Sequence, residues 1–351
     1  MFYNTPMSLR RVQYLALLLV PLAVLVMVVQ AFSGSRATLS RWGFASTEQG
    51  SRGADALVGR ANAVVGMMQP AANEQLEAFN RDSSLQERVA EGRVEWYRRP
   101  VGGGELAYIV VRLDEMVHLE LITADGALPG SDEHGDTIWL DRQRHLATVA
   151  TMANAPYAQR EGLELLAAMA FGFHGAVRTS NEGSVVINGV IHRVNAGRGV
   201  LCLTYDQRAL IGLFDATALA ACWQAVGGGP VILWEGKIAN PERIEPGDGE
   251  LPFNPLNEDF VQLDWRIMIY QGTYPKTAVC VGDLPNGHSF VVLANSRGIT
   301  GIELAQALRA MGCRDALGGD DDTSTQATWR GQPIWPGSPR AVPDAIGVYV
   351  R

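Results

Sequence analysis

Apolar and polar positions change places in short runs along most of the chain beyond residue 93, and the runs are rich in Val, Ile and Leu. Ala107 to Leu113 and Met116 to Thr123 read as adjacent strands, and Leu165 to Phe173 as a third. Val185 to Ile191 sets Asn188-Gly189 between apolar residues, which predicts a tight hairpin. Gly199 to Tyr205 and Ala209 to Leu213 read as another strand pair, while Thr277 to Gly282, Ser289 to Ala294 and Ala345 to Val350 read as later strands. Helical spacing is rarer. Arg144 to Ala153 and Ala216 to Ala225 are expected as helices, and Gly301 to Leu308 has apolar residues at 302, 304, 305 and 308, with Gly312 near its C-cap. Many strands and few helices, without strict alternation, predict an α+β fold with a large mixed β-sheet and flanking helices.

Upstream the pattern is different. Val12 to Ser35 carries no charge, and Tyr14 to Val29 is nearly all Leu, Val and Ala, enough for one transmembrane helix of about 20 residues. Arg10 and Arg11 before it favour a cytoplasmic N-terminus over 1–11, although Arg36 and Arg41 follow closely. The alternative is a cleaved signal peptide, with small residues placed for cleavage after Ala31. The retained anchor is the working expectation, and either way the bulk of the chain is exported. The expected location is a bacterial inner membrane, crossed once, with 93–351 on the periplasmic side. Residues 36–92 read as a helical stalk. Ala54 to Met68 is stopped by Pro70, and Ala71 to Ala90 follows with Leu76, Phe79, Leu85 and Val89 on an apolar stripe. Val64, Val65, Met67 and Met68 would be partner contacts near the membrane.

Composition narrows the function classes. A net charge of −8 argues against nucleic acid as a partner. The six histidines show no metal-ligand spacing, no Gly-x-Ser-x-Gly elbow is present, and Gly227-Gly228-Gly229-Pro230 lacks the Lys-Ser/Thr of a phosphate-binding loop. Cys202, Cys222, Cys280 and Cys313 are compatible with two disulfides or with buried thiols.

The stretch Gly318-Gly319-Asp320-Asp321-Asp322-Thr323-Ser324-Thr325 carries the most information. With the preceding strand pair, the helix Gly301 to Leu308 and the final strand, its order and spacing resemble the C-terminal half of the phosphodiester glycosidase family. Gly227 to Lys237, beginning Gly227-Gly228-Gly229-Pro230, and Leu165 to Phe173 look like two more of its segments. The resemblance spans Val94 to Arg351 and implies that family's fold. It also implies a catalytic Asp-Gly-Gly-Gly-Ser turn, which here would be Asp320-Asp321-Asp322-Thr323-Ser324. Asp320 and Ser324 survive, and the three glycines are gone. The family's Asn and Gly fall on Ala170 and Phe171, and its Arg on Lys276.

These departures carry physical weight. Glycines let backbone N–H groups close around an anion. A carboxylate about 5 Å from a phosphodiester repels it by roughly 3 kcal/mol at an effective dielectric near 20. Lysine gives up the planar fork that grips phosphate in two places. The expectation is therefore a non-catalytic accessory or structural subunit of a membrane complex. The alternatives are an active envelope glycosidase using Asp320 and Ser324, with Lys276, Thr325 and Trp329 on substrate, or a glycan-binding module that depends on Trp329 or Trp335. Asp320, Asp321 and Asp322 could also hold a calcium ion.

Overall fold

The computed structural model describes residues 72–126, 146–173, 182–260 and 263–351. The predicted span at 12–35 lies outside the described residues, as do 36–71 with Val64, Val65, Met67 and Met68. Among the described residues no helix is long and apolar enough to cross a membrane.

Three sheets build the domain. The largest has nine strands in the order Ser84–Val89, Val94–Val101, Gly104–Arg112, Ser289–Arg297, Lys276–Asp283, Asp315–Gly318, Val231–Trp234, Lys237–Asn240 and Glu250–Pro252. All of its neighbours are antiparallel except the last pair, so the sheet is mixed. A five-stranded sheet orders Val190–Arg193, Val185–Ile187, Cys222–Gly227, Gly199–Thr204 and Ala209–Leu213. A second five-stranded sheet orders Gln332–Pro333, Ala327–Trp329, Glu164–Ala170, Asp344–Val350 and Val117–Thr123.

The nine-stranded sheet is buried on both faces, which explains the unbroken apolar runs in its central strands. Successive side chains point to opposite faces, so one run feeds two cores. Val279 and Val281 join Val291, Leu293, Ile109 and Val111 in a core shared with the other sheets. Ala278 and Cys280 join Phe290, Val292, Tyr108 and Val110 under the helices. The helix Gly301–Ala310 covers that second face with Leu304, Ala305 and Leu308. Its start is fixed by a capping box between Thr300 and Glu303. The disulfide Cys280–Cys313 ties its far end to the sheet, with Cα atoms 5.8 Å apart, and Cys202–Cys222 joins two strands of the smaller sheet at 5.4 Å. All four cysteines are thus in disulfides, the first of the two alternatives.

Two helix expectations need correction. The helix expected over 71–90 runs over 72–81, burying Leu76 and Phe79, and the chain then forms the edge strand Ser84–Val89. Its Glu87 accepts from Trp329 Nε1 at 2.6 Å and pairs with Arg330, so it holds two distant segments together. The helix expected over 216–225 is one turn, Ala216–Leu219, capped by Asp215. Cys222–Gly227 is a strand with partners on both sides. In both places strand pairing overrides a local helical spacing: Ser84–Val89 pairs with the next strand, Val94–Val101, and Cys222–Gly227 with two earlier strands. The helix expected over 144–153 is described only as Val149–Ala153. The hairpin at Asn188-Gly189 has positive φ at both residues, 52° and 75°, as a two-residue turn between twisted strands requires.

Candidate functional site

The acidic turn leaves the strand Asp315–Gly318 where three other segments converge. Gly318 N donates to Pro230 O and Gly229 N to Gly318 O, each at 2.8 Å. A Cβ on Gly319 would lie 2.9 Å from Phe171 O and 2.8 Å from Phe171 Cδ2. A Cβ on Gly228 would lie 2.6 Å from Gly318 O. Glycine is needed at both positions because backbones touch there. Asp344 Oδ1 accepts from Gly172 N at 2.8 Å and holds the Phe171–Phe173 segment against the turn.

The backbone donors of the turn are spent inside the protein. Gly319 N donates to Thr277 O at 2.9 Å, Asp320 N to Phe171 O at 2.8 Å, Asp321 N to Asp320 Oδ1 at 3.1 Å, and Asp322 N to Pro275 O at 2.9 Å. Asp322 has φ of 56°, so the left-handed backbone shape persists at a position where the family pattern has glycine.

Lys276 is buried at 2% exposure, and its ammonium donates to three carbonyls. These are Gly272 O at 2.6 Å, Tyr274 O at 2.8 Å and Ile299 O at 3.0 Å. An ammonium has three N–H donors, so none is left for a substrate phosphate. Burial brings its pKa down to about 8, against the pull of Asp321 and Glu303.

Asp320 is buried and accepts from Arg340 Nη2 at 3.0 Å. The same guanidinium donates to Ser324 Oγ at 2.7 and 3.1 Å, so Arg340 brings Asp320 and Ser324 into one cluster. Asp321 Oδ1 accepts from Thr277 N at 3.0 Å. Asp321 as a whole keeps some solvent access, but its carboxyl is enclosed, and burial pushes its pKa up to about 7. The Thr277 N–H, Arg266 and Lys276 oppose that rise, while Asp320 adds to it. The Asp320 and Asp321 carboxylates are engaged by different partners and Asp322 is exposed, and among the described residues no group of three or more His, Cys, Asp or Glu side chains is placed to hold a metal ion.

Trp329 is not a stacking platform. It is 5% exposed, lies 5.5 Å from Trp96 in the core, and spends its N–H on Glu87. Ala170 and Phe171, at the altered family positions, are fully buried among apolar neighbours. Thr325 and Trp335 line a cleft beside the turn.

Sequence reasoning missed the arginines. Arg266 lies with its guanidinium carbon 3.8 Å from the Phe173 ring centroid, and Arg198 lies 4.1 Å from that of Phe260. Burial lowers the pKa of both; Asp321 and Asp320 offset this for Arg266, and Glu258 for Arg198. Nothing local marks these residues, because they reach the site from a helix and a loop remote in sequence. Ser338-Pro339-Arg340 offered only a proline-flanked basic residue after the turn.

Residues 164–349 match the phosphodiester glycosidase family, more than half of the chain. This chain belongs to that family. Among solved structures, a hypothetical protein from Synechocystis aligns at 15% identity with a TM-score of 0.53, over 74% of this chain and 62% of its own. The chain thus spans less than two thirds of that protein's length. The catalytic domain of zebrafish N-acetylglucosamine-1-phosphodiester alpha-N-acetylglucosaminidase, auto-inhibited by its pro-peptide, aligns at 15% identity with a TM-score of 0.54. That alignment covers 77% of this chain and 88% of the zebrafish domain. At such identity these likenesses show a shared fold. No curated protein matches the chain.

Proposed function

We propose that this phosphodiester glycosidase-like chain is an exported, membrane-anchored family member that does not run the hydrolysis and serves as an accessory subunit of a membrane complex. The observation that carries the non-catalytic part is the turn itself. Its four consecutive N–H groups at 319–322 already have protein acceptors. A phosphodiester placed there would meet carboxylates instead of free backbone donors, and Lys276 has no donor to add. The apolar, uncharged stretch over 12–35 supports the anchor. Subunit membership follows from an anchored scaffold whose site has lost its anion grip.

The test is turnover of a sugar-1-phosphodiester by the purified full chain in detergent, beside Asp320→Asn. No release of sugar by either protein is expected. Release by the wild type that Asp320→Asn abolishes would sink the proposal. For the complex, extraction from native membranes in mild detergent should give stoichiometric co-migration with one large assembly. Migration alone as monomer or dimer would refute that part.

One observation favours a second, catalytic reading. Asp321, with a pKa pushed up to about 7 beside Asp320, carries a proton into the neutral range, as a general acid must. That reading predicts turnover lost in Asp321→Asn.

A further inference from the structure

The acidic turn has a second side. Asp322, Thr323 and Thr325 line a cleft of about 620 Å³, together with Val149 of the short helix, Arg297 at the end of its strand, and Trp335 and Pro336 of the late loop. Three polar atoms on these residues are buried without a hydrogen-bond partner: Arg297 Nε, Thr325 Oγ1 and Trp335 Nε1. Buried orphans are rare in native proteins, and each calls for an explanation. Here all three can donate, and all three belong to one cleft.

The charges make the same point. The guanidinium carbons of Arg98 and Arg297 lie 4.7 and 5.0 Å from the Trp335 ring centroid. Arg98 is compensated by Glu105 at 3.4 Å. Arg297 donates Nη1 to Pro336 O at 3.3 Å, and among the described residues no carboxylate pairs with it. Burial, and then the neighbouring Arg98, lower its pKa, as expected of a cation short of a counterion. Asp322 is exposed and forms no ion pair with Arg297.

We propose that this cleft binds a small organic oxyanion, a carboxylate or phosphate on an apolar body, received by Arg297, Trp335 Nε1 and Thr325 Oγ1. Val149 and Pro336 would pack on the body. The cleft lies against the altered turn, whose Asp322 and Thr323 line it, and the inference does not depend on whether that turn is active.

The experiment is calorimetric titration of the full chain in detergent, at constant ionic strength, with benzoate, phenyl phosphate and benzyl alcohol. At least one anion should bind, with benzyl alcohol at least about tenfold weaker, because a charge-assisted pair is lost. The preference between the two anions identifies the head group. Arg297→Met should weaken the anion by at least about tenfold, and Thr325→Val and Trp335→Phe by about three- to fivefold each. Thr325→Val should melt at the wild-type temperature without ligand, and it decides the matter if Arg297→Met fails to fold. No saturable binding of either anion by about 10 mM would overturn the proposal, as would binding that Thr325→Val and Trp335→Phe leave unchanged.

Discussion

Lys276 and Arg297 are buried or half-buried cations at the same end of two paired strands, where Lys276 lies opposite Ser296, the residue before Arg297. One is satisfied and the other is not. The Lys276 ammonium has a carbonyl for each of its protons, whereas Arg297 has one carbonyl and an orphaned Nε. The contrast extends to their surroundings. On the Lys276 side the turn's N–H groups are consumed; on the Arg297 side the Thr325 hydroxyl and the Trp335 indole N–H stay unpaired. A positive residue type in an anion-binding position therefore does not make an anion site. Unspent donors do, because a buried donor gains from a ligand only if it has no partner already.

This comparison can be broken most sharply at Lys276. Lys276→Met strands three buried carbonyls and should cost about 4 kcal/mol of stability by chemical denaturation. A cost below about 1 kcal/mol would mean that the ammonium is not the structural plug described here. Gly319→Ala should cost about 3 kcal/mol, because the new Cβ meets the backbone and ring of Phe171. An unfolding midpoint equal to wild type would show that the turn has room to spare.

Asp321 tests the electrostatics of the closed side. Its folded pKa is raised from 3.8 to about 7, so between those values the folded state holds more protons than the unfolded state. Stability therefore falls as pH rises through that window, by up to about 4 kcal/mol relative to Asp321→Asn. Parallel stability profiles of wild type and Asp321→Asn from pH 4 to 8 would contradict the enclosed carboxyl. The smallest effect is on the open side. Thr325→Val removes a hydroxyl that bonds to nothing, so the ligand-free protein should stay within about 0.5 kcal/mol of wild type. A loss above about 1.5 kcal/mol would mean that the hydroxyl is already in use.

Much of this was legible in the chain. The strands at 277–282 and 289–294 were readable because both of their faces are apolar, and the helix from Gly301 because its apolar spacing and the glycine at its end agree. The hairpin was readable because Asn-Gly tolerates two positive φ angles. Ser84–Val89 and Cys222–Gly227 were not, since their own spacing imitates a helix turn and only pairing, with the following strand in one case and with two earlier strands in the other, makes them strands. At the site, the loss of three glycines could be seen in the residues. The fate of Lys276 and Trp329 could not, and neither could the arrival of Arg340 and Arg266.

The sequence by itself determined the mixed sheet, the capped helix over it and the change of character in the catalytic turn. All of these rest on local spacing, chain geometry and residue type. Only the tertiary structure decided which cation is spent, which tryptophan is core and which donors are left over. Hydrogen-bond satisfaction is a property of neighbours that folding brings from distant parts of the chain.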